Sequence, residues 1–151
     1  MTNASDLLSV LIGRIVVAVR RVFYVHRGEV TYSAGPIEYT FHGGDSLWLD
    51  AAGNGYALAA FSGPWQDPFA GPLSPENATF VEQCGKWTAF DVSADESFAP
   101  LIGHEITHVE LMRDEVGILI GVEIATNTVV VRAEVGRDEL LVDARHVSST
   151  S

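Results

Sequence analysis

His104-Glu105-Ile106-Thr107-His108 is the stretch of the chain with the sharpest chemical meaning. On a helix, residues four apart point the same way, so two imidazoles can share a Zn²⁺ while the intervening glutamate activates a water. This offers a zinc-dependent hydrolase, with His104 and His108 as ligands and Glu105 as base. Three features oppose it. The longer metalloprotease pattern fails, because Leu111 and Asp114 stand where a glycine and a third histidine belong. Glu110 occupies a place that such enzymes give to an apolar residue, and Glu123 downstream falls in an apparent strand. The segment also aligns with Arg14 to Arg20, which reads as a strand. Four strand residues span about 13 Å, too far for two histidines to share a metal. In favour of a helix, Ile102, Ile106, Val109 and Val116 fall on one helical stripe and leave both histidines on its polar side. The expectation is no metal and no cofactor.

Other catalytic patterns are weaker. Cys84 is the single cysteine, so neither an internal disulfide nor a multi-thiolate zinc site can form. It falls with Phe80 and Val81 on the apolar side of a short helix, and a buried thiol is expected there. No serine lies in G-x-S-x-G, and Gly43-Gly44 and Gly53-Asn54-Gly55 read as hairpin turns, not phosphate cradles. Asp45, Asp50 and Asn54 lack the spacing and closing glutamate of a calcium loop.

The best binding candidate lies mid-chain. Trp65, Phe69, Trp87 and Phe90 are interleaved with Asp67, Glu82, Asp91, Asp95 and Glu96. Aromatic anchors in an acidic field suit an interface with a basic protein. The competing reading puts the aromatics in a core beneath a long loop and the acids in water.

Charge points the same way. The 151 residues hold 9 Lys+Arg against 20 Asp+Glu, a net charge of −11, and the acidic excess falls after residue 40. Such a surface repels nucleic acid and anionic lipid and attracts basic partners, although it also serves solubility. Without a basic patch bearing aromatic platforms, direct nucleic-acid binding is not expected. Hydrophobic residues make up 47%, enough for a core, yet no run nears the roughly 18 apolar residues of a membrane helix. The first residues lack a secretory signal. A cytoplasmic chain forming a single domain over residues 1–151 is expected.

The elements that must position these residues are mostly strands. Ile37 to Ala51 and Val130 to Ala144 align without gaps, sharing Gly43/Gly136, Asp45/Asp138, Leu47/Leu140, Asp50/Asp143 and Ala51/Ala144. Leu-Ile-Gly precedes each, at 11–13 and 101–103. An internal repeat follows, with related β halves at about 11–61 and 101–147. Strands are expected over 14–25, 29–33, 37–41, 46–50, 56–61, 118–124, 128–135 and 139–142, with turns at His26–Glu29, His42–Asp45 and Gly136–Asp138. The insert, about 62–100, begins as a proline-rich loop. A helix follows, capped by Ser74, opened by Pro75 and stopped by Gly85, and then a strand from Lys86. The fold class is α+β, mostly β: two hairpin or meander halves with a loop-helix-strand insert.

The duplicated segments Ile12 to Val19, Ile102 to Val109, Gly43 to Ala51 and Gly136 to Ala144 resemble the small acidic, β-rich immunity-type proteins found beside bacterial toxins. The resemblance spans some two thirds of the chain and rests on pattern. It implies a non-catalytic module that binds and blocks a basic cognate toxin, and it supplies no catalytic residues. Besides the zinc hydrolase, a small-ligand-binding β domain remains open, with an apolar cavity between the halves. The halves could pair within one chain or across a homodimer.

Overall fold

The computed structural model describes residues 3–147, which build two antiparallel sheets packed face to face. The first sheet contains β1 (Val16–His26), β2 (Glu29–Tyr32), β3 (Ile37–Phe41), β4 (Ser46–Ala51), β5 (Leu58–Ser62) and β6 (Lys86–Asp91). The second contains β7 (His108–Arg113), β8 (Leu119–Ala125), β9 (Val129–Gly136) and β10 (Glu139–His146), in the order β10-β9-β8-β7. Two helices, α1 (Ala4–Ser9) and α2 (Pro75–Cys84), and a 3₁₀ turn at Ala99–Leu101 complete the described residues. The class is the mostly β, α+β one that the pattern implied. Among the described residues, no helix is long and apolar enough to cross a membrane.

Alternation places the core. Ile37, Tyr39 and Phe41 of β3 and Val129, Val131 and Ala133 of β9 point inward and are almost wholly buried. With Val19, Leu47, Leu49, Val122, Ile124 and Leu140 they form one cluster between the sheets. Leu8 of α1 plugs the same core. This helix has no obvious apolar period; Asn3 starts it by accepting a 2.9 Å bond from the Asp6 amide.

β1 organises the first sheet. Along one edge it pairs with β3 over Val16 to Arg21 and then with β2 over Tyr24 to His26; along the other it pairs with β6 over Arg20 to Val25. Between its β3 and β2 partners, the Val22 amide donates to the Pro36 carbonyl at 2.9 Å. Gly35 sits at that gap. A Cβ there would lie 2.0 Å from the Val22 oxygen and 2.7 Å from the Trp87 ring, so only glycine fits.

α2 forms as its end signals required: Ser74 Oγ accepts from the Asn77 amide at 3.1 Å, and Gly85 closes it with φ 83°. The expected burial of Cys84 is corrected. No residue of α2 is buried, and the thiol is exposed. The helix is held through Phe80, stacked 5.8 Å from Phe69, and through the Cys84 carbonyl, which accepts from the Tyr24 hydroxyl at 2.6 Å. A ring and two backbone oxygens, the second the Glu82 carbonyl 3.0 Å from His26 Nε2, anchor it without its sulfur.

The two Leu-Ile-Gly segments meet each other. The Gly13 amide donates to the Ile106 carbonyl (2.8 Å) and the Gly103 amide to the Val16 carbonyl (2.7 Å). Likewise Val16 donates to His104 (3.1 Å) and Ile106 to Arg14 (2.8 Å), each bond having its counterpart with the copies exchanged. The equivalence expected of the hairpins does not extend from there. Gly43 lies inside the β3–β4 turn with φ 102°, whereas Gly136 ends β9 and the next turn is Arg137-Asp138, with φ 50° and 69°. Ile37 pairs with Leu49, but its sequence match Val130 pairs with Arg145, three places beyond the match of Leu49. The shared Asp-x-Leu pattern reflects what any half-buried strand after a polar turn requires.

Candidate functional site: an aromatic and acidic cleft

The residues that alternate outward on the first sheet do not face open water. Arg20, Val22 and Tyr24 of β1, Glu38 of β3, Trp48 and Asp50 of β4 and Trp87 of β6 share this outer face, and the chain from Gly63 to Gly85 crosses it. One ion pair fastens the crossing. Arg20 forks onto Glu38, Nε to Oε1 at 2.7 Å and Nη2 to Oε2 at 2.6 Å. The pair then takes both backbone groups of Trp65: its amide donates to Glu38 Oε2 at 2.7 Å, and its carbonyl accepts from Arg20 Nη2 at 3.0 Å. Glu38 is 2% exposed, and a carboxylate that dry is tolerable only when so fully bonded.

Beside this clamp lies a cleft of about 630 Å³. Trp65, Phe69 and Phe80 of the insert form one wall, and Tyr24, Tyr32 and Trp87 the other. Trp87 is held edge-on by Tyr24 at 5.3 Å and Tyr32 at 6.0 Å. Three charged groups join the aromatics: Lys86, Asp50 and Asp138. Lys86 is already engaged by Asp67 at 2.5 Å. Burial alone would raise Asp67, but hydrogen bonds from Lys86 and the Phe69 amide outweigh it and hold this carboxyl below the usual range. Asp50 is different. Burial pushes its carboxyl up, opposed in part by the Ala51 amide, and no cation pairs with it among the described residues. A half-dry carboxylate in a cleft walled by aromatic side chains has the chemistry to receive a positive group.

Of the residues singled out from sequence, the fold brings Trp65, Phe69 and Trp87 into the cleft, with Asp67 locking Lys86 beside them. The others lie elsewhere. Phe90 points to the opposite face of β6 and packs against Phe23 at 5.7 Å. Glu82 lies exposed on α2, 3.9 Å from Arg27. Asp91 lies across from Arg20, its carboxyl held low by the Ser93 hydroxyl and amide, while Asp95 and Glu96 are exposed in the turn after β6. The reading in which the aromatics fill a core is half right: Trp65, Phe69 and Trp87 are partly buried, against a cleft and not within the sandwich.

Sequence reasoning missed Asp50, Asp138, Glu38, Tyr24 and Tyr32. Asp50 carried a usable signal, since inward Leu47 and Leu49 force Trp48 and Asp50 to the other side. Asp138 carried none; it arrives from the β9–β10 turn of the second sheet, where its amide donates to the Gly55 carbonyl at 2.8 Å.

The helical reading of the histidine motif is corrected. Residues 104–107 are extended: Glu105 bridges antiparallel to Ile15, and His108 begins β7. Ile106 is fully buried, while His104, Glu105 and His108 are exposed. His108 Nε2 lies 3.7 Å from Glu110 Oε2. The motif thus lacks the helical geometry that would aim both imidazoles at one ion. Among the described residues, no group of three His, Cys, Asp or Glu side chains is placed to hold a metal. No family model, no curated protein and no solved structure matches the chain.

Proposed function

We propose that the protein is a non-catalytic binding module whose outer-face cleft receives a basic side chain of a protein partner, the immunity-type role of binding and blocking a basic toxin. One observation carries the reading: Asp50 and Asp138 share a 630 Å³ aromatic cleft whose single lysine is engaged by Asp67. A lysine or arginine entering it would meet ring faces, worth about 0.5–2 kcal/mol by cation–π attraction, and uncommitted carboxylate. The overall −11 charge would steer a basic partner toward this face.

The test is recovery of the partner from the native host, followed by association kinetics at low and high salt. Association should slow steeply with salt, because screening removes the steering. Asp67→Lys should lower the on-rate. Asp50→Asn and Trp65→Ala should shorten the complex lifetime, Trp65→Ala by about 2 kcal/mol if it is a central anchor. A partner that is acidic or neutral, or rates indifferent to salt, would overturn the reading.

A further inference from the structure

Arg21 is a buried cationic side chain that lies outside the cleft. It points to the inner face of the first sheet, two places from Val19 and opposite Ile37, and it is 8% exposed. Its Nη2 donates to the carbonyls of Ser33 (3.1 Å) and Gly35 (3.3 Å), and its Nε is buried without a partner. No carboxylate takes part: the ion pairs among the described residues leave Arg21 out, and the nearest titratable neighbour is Tyr39, which burial keeps a neutral phenol. Tyr39 lies on the same inner face, and its hydroxyl too is buried and unpartnered. A buried guanidinium satisfied only by neutral carbonyls is costly unless an anion joins it.

The structure also leaves room for one. A cavity of about 350 Å³ opens at this end of the sandwich, lined by Arg21, Phe23, Ser33 and Ala34 on one side and by Leu140, Leu141 and Val142 of β10 on the other. The guanidinium carbon stands 5.1 Å over the ring of Phe23, which lines the same cavity. The geometry points to a site for a small carboxylate with an apolar body, its head on Arg21 and its tail between Phe23 and the leucines of β10. With Nη2 turned to the two carbonyls, Nε and Nη1 are the donors left for a carboxylate oxygen. Away from Arg21 and Ser33 the lining is apolar, which suits a hydrocarbon body. A free organic acid and the carboxyl end of a peptide share this chemistry, and the smallness of the cavity favours the free acid.

Octanoate is the probe, with 1-octanol and octylamine as controls of equal length, read by isothermal titration and by thermal shift. Octanoate should bind at least tenfold tighter than octanol and raise the melting temperature, and octylamine should bind worst. Arg21→Met, which keeps the stem and removes the charge, should bring octanoate down to the level of octanol. Leu141→Trp alters a half-exposed residue at the mouth and should block all uptake without unfolding the protein, which keeps the test decisive if Arg21→Met does not fold. Asp50→Asn, in the other cleft, should leave octanoate binding unchanged. Equal affinity for octanoate and octanol, or undiminished octanoate binding by Leu141→Trp, would overturn the proposal. A terminal-carboxylate peptide binding tighter than octanoate would overturn the assignment to a free acid.

Discussion

The two sheets solve the same folding problem with different regularity, and the candidate cleft belongs to the irregular one. In the second sheet β9 and β10 pair without interruption through eight rungs, from Val129 with His146 to Gly136 with Glu139, around a two-residue turn. Its residues alternate between core and solvent, and its outward charges, Arg132 with Glu123 and Glu134, pair loosely in water. The second sheet shifts register once, between Met112 and Arg113 of β7, whereas in the first sheet β1 shifts twice and divides one edge between two partners, and the outer face is roofed by the insert. The regular sheet contributes Asp138 and the wall of β10 to hollows that the first sheet shapes. The interruption at Gly35, the roof and the Arg20–Glu38 clamp together make the hollow.

That contrast can be broken at either sheet. Ile124→Ala removes a wholly buried side chain from the regular sheet and should cost about 4 kcal/mol in denaturant unfolding, while the refolded protein keeps the fluorescence of the cleft tryptophans. Glu38→Gln should cost about 3 kcal/mol, because Arg20 loses its anion under the roof. It should also free the loop at Trp65, seen as faster hydrogen exchange of the Trp65 amide. Gly35→Ala should cost roughly 2 kcal/mol by driving a methyl into the Val22 carbonyl and the Trp87 ring, with the loss reported by Trp87 emission.

The smaller effects sharpen the comparison. Asp50 has a folded-state pKa raised by burial, so the native state holds its proton more tightly than the unfolded chain. The stability this provides is complete below the ordinary carboxylate range and is lost as pH rises through the raised value. Asp50→Asn should therefore melt roughly 2 °C higher than the parent at neutral pH, a gain that vanishes toward pH 3, while the affinity for a basic partner falls. A group that weakens the fold yet strengthens binding marks a site. Asp67 has the opposite sign: its depressed carboxyl adds stability above the ordinary range and loses it as pH falls. Smallest of all, Arg137→Asn should stabilise the second sheet by about 0.5 kcal/mol, since Arg137 sits at φ 50° where asparagine is better tolerated.

Local chemistry in the sequence was enough to determine the local parts of this protein. The Ser74 cap, Pro75 and Gly85 bracket α2 because capping bonds reach only three or four residues. The Arg27-Gly28 turn, with φ 51° and 78°, and the strands around it follow from turn chemistry and alternation, which are equally short-ranged. α1 escaped notice because six residues hold too few apolar positions to show a period, and Leu8 alone carries its burial. Burial was a different matter. Cys84 was expected inward on its helix and lies in water; Glu38 alternates to the outer face of its strand and is dry. Whether an outward face is wet depends on what distant chain covers it, and here residues 63–85 roof the face of strands that precede them. The tertiary structure alone decided that Asp138 from the second sheet would stand with Asp50 and Trp87 from the first. It likewise set Arg21 against β10, because these meetings join residues dozens of positions apart, beyond any periodicity along the chain.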